Sequence, residues 1–470
     1  MPTRTIERMS TDVDPRTAAR FERMRPLSQG VATRLSADDV PPGPTYPGLL
    51  QSIALMRFRH SWIPHLHRKY GDVFSIRILP EGRWLVVFNR PEHVREIFAG
   101  DPEVFHAGKG NAILGPVMGE HSLLLVDGAQ HKRARKLLMP AFNGHALRSY
   151  ESMIEELAKA EVGSWQEGTA FRSLDRMNAL TLEVILQVVF GVTDESRLAE
   201  LRPLVNRTVN VSPAVFLGWG FPRLQGFGPW RRAFDNQVEL DRVIYAEIAD
   251  RRTATDLGQR TDVLSRLLLV RDDEDPSDTG LTDEELRDQL VTLLLAGHET
   301  TATALAWTLH ELAKDPVQER RARDAATSGD HDHLEAVLKE SMRLHPVIPM
   351  VVRHLMAPAP IGGVDLPAGA NVAASIILAH SSETSHPDHE AFRPERFLDG
   401  GVAANTWIPF GGGVRRCIGA GFSLMEGVAV LREVLSAYDV SLPAGAREEP
   451  KVRNITSVPK HGARIVVTRR

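Results

Sequence analysis

Phe410-Gly411-Gly412-Gly413-Val414-Arg415-Arg416-Cys417-Ile418-Gly419 holds the only cysteine in a chain of 470 residues. Three glycines and two arginines precede the thiol, and helix-forming sequence follows at once in Ala420-Gly421-Phe422-Ser423-Leu424-Met425-Glu426. Nearby guanidinium charge and the positive end of a helix dipole both favour the thiolate. The glycines let the backbone turn tightly and bring N–H groups near the sulfur, where they tune it as a ligand. The competing reading is a lone buried cysteine acting as a small hydrophobe. The residue types of this decapeptide leave both open.

Composition narrows the class. A hydrophobic fraction of 43% with 25% charged residues is that of a globular protein able to build a deep core. Lys+Arg 56 against Asp+Glu 60 gives a net charge of −4, so nothing draws the chain in bulk to nucleic acid or acidic membranes. One cysteine excludes an internal disulfide and fits a reducing, cytoplasmic setting. No apolar run approaches the ~20 residues of a membrane span, and none stands at the N-terminus as a signal or membrane anchor. Residues 1–40 (Met1–Val40) are rich in Arg, Asp, Ser and Thr and read as a polar, partly disordered extension. Residues 41–470 read as a single domain.

Pro41-Pro42-Gly43-Pro44-Thr45-Tyr46-Pro47-Gly48 is a stiff hinge into that domain. Asp72–Leu79 and Trp84–Phe88 read as a hairpin turning at Pro80-Glu81-Gly82-Arg83, and Pro91–Phe98 as a short helix with proline in its first turn. Phe105–Gly128 reads as a long, irregular, Gly-rich loop. Ala129 to Leu269 is mainly helical, with breaks at Pro140, Gly163–Gly168, Gly191 and Pro203. Within it Pro213–Trp230 mixes aromatics with Gly and Pro, either a lid over an apolar site or a buried loop.

The longest helical signal is Thr282–Lys314, where Thr282 and Glu285 form a capping box and Asp315-Pro316 ends the run. At ~1.5 Å per residue it reaches about 50 Å, a spine for a large domain. Val291–Ala296 is apolar all round, so the spine is buried on most sides. His331–Leu344 follows as a helix, then strands near Val351–Leu355 and Asn371–Ile377, and a last strand at Ala463–Val467. The fold class is mainly α with small β-sheets.

Ala296-Gly297-His298-Glu299-Thr300-Thr301 interrupts the apolar spine. A buried, unpaired carboxylate costs several kcal/mol, so this patch requires water, a ligand or partners. Glycine at mid-helix costs about 1 kcal/mol against alanine and lets something bulky approach the backbone. His298-Glu299 suggests a zinc HExxH motif, but Ala302 stands where the second histidine belongs, and that reading fails. A structural alternative has Thr300 and Thr301 back-bonding within the helix. Glu340 and Arg343 are spaced to pair on a helix, and His131 and Arg135 share a helical face as a solvated basic surface or an anion clamp.

Together these pieces resemble the cytochrome P-450 superfamily of haem-thiolate monooxygenases, from about Pro41 to the C-terminus. The cysteine loop is similar to that family's Phe-x-x-Gly-x-Arg-x-Cys-x-Gly at Phe410, Gly413, Arg415, Cys417 and Gly419. The spine hexapeptide resembles its oxygen-activation motif, with Glu299-Thr300 as the acid–alcohol pair. Glu340 and Arg343 match its Glu-x-x-Arg, and Pro394-Glu395-Arg396-Phe397 resembles the segment that completes the triad. The resemblance implies a long central helix over a haem, with the cysteine loop on the opposite face. It implies haem b (heme, iron protoporphyrin IX) with Cys417 as axial thiolate and metal ligand, the ligand that favours O–O cleavage in this family.

The resemblance assigns further roles. Phe410 and Gly419 shape the cofactor loop, and His131, Arg135, Arg353 and Arg415 pair with the propionates, since buried carboxylates need charged partners. His131 stands where many members have tryptophan. Thr300, helped by Glu299, holds water and delivers protons to dioxygen. Glu340, Arg343 and Arg396 lock the cysteine side of the fold. The absence of an N-terminal anchor points to the soluble bacterial type, a cytoplasmic monomer. With no flavin or iron–sulfur domain in the chain, electrons come from a ferredoxin or flavodoxin with its NAD(P)H-dependent reductase. Lys132, Arg133, Lys136 and Arg416 form the expected docking patch. The expected reaction is hydroxylation or epoxidation of a lipophilic substrate: a fatty acid, terpene, steroid or polyketide. The alternatives are a peroxide-using hydroxylase or isomerase on the same fold, which commonly lacks the acid–alcohol pair, and a non-catalytic haem-binding protein, in which the pair has no purpose.

Overall fold

The computed structural model describes residues 14–24, 35–79, 83–191, 194–211, 215, 227–271, 280–398 and 400–470, with side chains of 20–24 excepted. The turn 80–82 and most of Pro213–Trp230, including its lid-or-loop reading, lie outside them. The chain is mainly helical with small sheets. It divides into two compact units, one of residues 1–31, 107–146 and 185–297, the other of 32–106, 147–184 and 298–470.

Among the described residues, every sheet belongs to the second unit. Strands Val73–Ile78 and Arg83–Phe88 pair antiparallel, as the hairpin reading requires. Asn371–Ser375 joins Arg83–Phe88 in parallel, Met350–Leu355 pairs antiparallel with it, and the two-residue strand Phe105–His106 closes the edge. Both faces of this sheet are covered, and the period-two alternation sorts the side chains. Val86, Phe88, Val372 and Ala374 enter one apolar cluster with Val94, Ile97 and Phe98. Leu85, Val87, Phe74, Ile76 and Ala373 enter another with Ile63 and Leu66. Ile63 and Leu66 belong to helix Gly48–Tyr70, which the sequence reading leaves unassigned. Helix Pro91–Ala99 begins on its proline as expected and sends Val94, Ile97 and Phe98 into the core.

The spine runs from Asp283 to Lys314. Its capping box is formed: Thr282 Oγ1 accepts the Glu285 N–H at 3.2 Å, and Glu285 Oε2 accepts the Thr282 N–H at 2.9 Å. Asp315 then caps the helix Pro316–Ser328 through the Val317 and Gln318 N–H groups. His331–Leu344 is helical over the expected span.

Two expectations are corrected. Phe105–Gly128 is not one irregular loop: it holds the strand Phe105–His106, helical turns at Ala107–Gly110, Ala112–Leu114 and Gly115–Met118, and the start of helix Gly128–Leu138. Pro203 does not break its helix, which continues over Glu195–Val209. A proline inside a helix costs about 3 kcal/mol, and the burial of Leu198, Leu201, Leu204 and Val205 offsets it. In the polar extension Pro15–Met24 is a helix, with Thr17 Oγ1 donating to Asp241 at 2.9 Å and Arg16 over the Tyr245 ring at 3.8 Å. Among the described residues no single helix is long and apolar enough to cross a membrane.

Candidate functional site

Cys417 lies exposed at the end of the glycine loop. Its N–H donates to the Phe410 carbonyl at 2.9 Å, and the Arg416 N–H donates to the Gly413 carbonyl at 3.1 Å, folding the loop back on itself. Gly411 and Gly413 take left-handed φ of 65° and 63°. A side-chain carbon at Gly412 would stand 2.2 Å from the Phe98 ring, and one at Gly413 2.0 Å from the Phe98 carbonyl oxygen. The loop therefore wraps Phe98, and only glycine permits that approach. Gly419 is the N-cap of helix Ala420–Ala437 and supplies no side-chain cap, so the first-turn amides stay oriented toward the cysteine end.

The loop is tied down behind. Phe410 stands edge-on to Trp407 at 5.8 Å between centroids, and Trp407 Nε1 donates to the Lys339 carbonyl at 3.1 Å. The Ile408 N–H donates to His380 Nε2 at 2.8 Å. Complete burial, with His386 and Arg343 nearby, pushes the His380 pKa down to about 3, so the ring stays a neutral acceptor. Arg343 donates to both oxygens of Glu340 at 2.7 and 2.9 Å and to the His380 carbonyl at 3.0 Å. Arg396 Nε reaches Glu340 at 3.1 Å, completing the triad.

Arg353 is buried, with its guanidinium 5.9 Å from the Phe98 ring centroid. Phe98 thus touches the loop at Gly412 and Gly413 and stands beside Arg353. His131 and Arg135 belong to the other unit, on helix Gly128–Leu138, His131 buried and Arg135 half-buried. The expected docking patch needs a correction there. Arg133 is committed to Glu285 at 2.9 Å and to the Gly280 carbonyl at 3.0 Å.

Glu299 is 8% exposed. Its Oε1 accepts from Thr456 Oγ1 at 3.0 Å and lies 3.4 Å from Arg453 Nε. Burial raises its pKa, and Arg453 and Thr456 oppose the rise. Thr300 is half-buried. Thr301 and Ser423 share a hydrogen bond of 3.1 Å, linking the spine to the cysteine helix. Beside them Glu426 is wholly buried, which pushes its pKa up to about 8. In the first unit Gly297 serves close packing: a side-chain carbon there would meet Ile185 Cδ1 at 2.7 Å.

A sequence profile described as Cytochrome P450 matches residues 41–466. The chain belongs to the cytochrome P450 family. It is 54% identical over 427 residues to cytochrome P450 135A1 of Mycobacterium tuberculosis, covering 91% of this chain and 94% of the relative. To cytochrome P450 135B1 of the same organism it is 40% identical over 438 residues, covering 92% of each. Among solved structures, the heme domain of cytochrome P450DA matches with a TM-score of 0.79 at 25% identity, over 92% of this chain and 98% of that one. A retinoic-acid-bound cyanobacterial cytochrome P450 shares the fold with a TM-score of 0.81 at 23% identity, over 92% and 99%.

As a cytochrome P450 the protein is a haem-dependent monooxygenase. It carries haem b on a cysteine thiolate and uses an organic substrate, dioxygen and a redox partner. The donor set fits that group. Among the described residues no three His, Cys, Asp or Glu side chains gather to hold a metal ion. A single exposed thiol at a helix N-terminus suits an iron whose remaining donors come with a macrocycle. Arg353 and Arg415 on the same unit suit its carboxylates. Sequence reasoning missed Phe98, His380, Arg453, Thr456 and Glu426 in this cytochrome P450. Only Glu426, an acid between Leu424-Met425 and Val428-Ala429-Val430-Leu431, left a signal in the sequence.

Proposed function

We propose that the protein hydroxylates or epoxidises a lipophilic organic substrate of the fatty acid, terpene, steroid or polyketide class. Cys417 is the axial thiolate in this reading. The positive end of helix Ala420–Ala437 favours loss of its proton, and the Cys417–Phe410 backbone bond holds the loop in register. Arg353, Arg415, His131 and Arg135 pair with the propionates, and Phe410 and Gly419 shape the loop. When bound, the haem supplies activation of dioxygen, one oxygen atom passing to substrate and the other leaving as water.

Thr300 Oγ1 donates and accepts protons in this scheme, and Glu299 resupplies it. The observation that carries the oxidative reading is Glu299 itself, a buried carboxylate held by Arg453 and Thr456 directly before Thr300. Such a costly group has a use in delivering protons and none in a carrier. The lipophilic substrate is supported by an apolar cluster in which Val117, Val215 and Trp230 meet Leu295 of the spine helix. Electrons come from a ferredoxin or flavodoxin with its NAD(P)H-dependent reductase. Arg416, exposed beside the thiol, offers such a partner one cation, and exposed Lys132 offers another. The single cysteine agrees with a cytoplasmic setting.

The test is Thr300→Ala in the holoenzyme. Haem and substrate binding persist while electrons divert from product to peroxide. Unchanged coupling contradicts the proton-delivery role. Screening the four lipophilic classes for a shift of the haem spin state identifies the substrate class, and a response confined to polar compounds contradicts the lipophilic reading.

A further inference from the structure

In the second unit, a cleft of about 640 Å³ opens between the C-terminal loops and the far half of the spine helix. Arg172, Arg447, Lys460 and Arg464 line it, with Glu448 as the one carboxylate. That concentration of cations opposes the chain's net charge of −4. Glu448 is occupied by backbone: it accepts N–H groups from His461 at 2.8 Å and Ala463 at 2.7 Å, which fixes the loop. Lys460 pairs with Glu449, and Arg172 lies 3.4 Å from exposed Asp175. Among the described residues neither Arg447 nor Arg464 has a carboxylate partner.

The second observation is His310. It lines the same cleft, is 6% exposed, and its buried Nδ1 has no hydrogen-bond partner among the described residues. A buried polar nitrogen without a partner is costly, and turning the imidazole toward a ligand oxygen in the cleft removes that cost. Two unpaired guanidinium groups present the planar forks that match phosphoryl oxygens. The cleft is too large for phosphate alone, and Pro443, Ala444 and Ala446 give it an apolar wall.

We propose that this cleft is a binding site for a small organic phosphate, with Arg447 and Arg464 on the phosphoryl group, His310 Nδ1 beneath it and the organic part along Pro443–Ala446. His310 lies on the same helix as Glu299 and Thr300, so the ligand engages the element that carries the proposed proton delivery.

The experiment is calorimetric titration of the haem-loaded protein with phenyl phosphate and with inorganic phosphate, ionic strength held constant with chloride. Phenyl phosphate gives a single saturable site and binds more tightly than inorganic phosphate. The double variant Arg447→Gln/Arg464→Gln, changed only at exposed positions, weakens binding at least ten-fold with the haem spectrum intact. His310→Leu weakens it as well. Absence of saturable heat, or full affinity in the double variant, overturns the site. Equal affinity for the two ligands overturns the organic phosphate as its occupant.

Discussion

The backbone oxygen of Phe98 occupies the place a side chain at Gly413 would need, 2.0 Å from an ideal Cβ. The cysteine loop is therefore moulded on the helix Pro91–Ala99, and Gly413 is fixed both by its φ of 63° and by that contact. Gly413→Ala must strain the backbone and displace the helix, at a cost of about 2 kcal/mol or more. Haem content per chain and thermal midpoint both fall. An alanine variant with full haem content and an unshifted midpoint contradicts the moulding.

Arg343 makes four hydrogen bonds through a planar fork, to Glu340 twice and to the carbonyls of His380 and Ala391. Lysine keeps the charge and cannot reproduce the fork. Arg343→Lys in so buried a pair destabilises by about 3 kcal/mol. Denaturant unfolding of the holoprotein measures it, and a loss under about 1 kcal/mol contradicts the structural role.

Glu426 keeps its proton in the folded chain up to about pH 8, whereas an ordinary glutamate loses it near 4.5. Between those values the folded state holds the extra proton, so stability falls as pH rises, by up to about 1.4 kcal/mol per pH unit. The contribution is complete below about 4.5 and gone above about 8. Glu426→Gln lacks this slope and gains on wild type as pH rises. Parallel stability–pH curves for the two proteins contradict the assignment.

Arg453 and Thr456 oppose the rise that burial imposes on Glu299. Arg453→Gln removes the charge and lets the Glu299 pKa climb further. The acid limb of the product-formation profile then moves to higher pH, while substrate affinity, read from the spin-state titration, stays constant. An unmoved limb separates Arg453 from proton delivery.

Legibility in the sequence followed the range of the interactions. The Thr282–Glu285 box and the helix His331–Leu344 were readable because their determinants lie within a turn or two. Glu340 and Arg343 were readable as a pair, but not as buried, because that depends on the His380 and Ala391 carbonyls far along the chain. Phe98 gave no sign of its role, since nothing local distinguishes it from any other core phenylalanine. Pro203 misled because local cost is visible in sequence and compensating burial is not. Glu299 announced itself as an acid needing a partner, and the partners came from a hairpin near the other end of the chain.

The central claim is that Cys417 supplies the thiolate, and the reduced carbon monoxide spectrum tests it most directly. Wild-type holoprotein shows the red-shifted Soret band of a thiolate-ligated haem, and Cys417→Ala lacks it. Persistence of that band in Cys417→Ala contradicts the account.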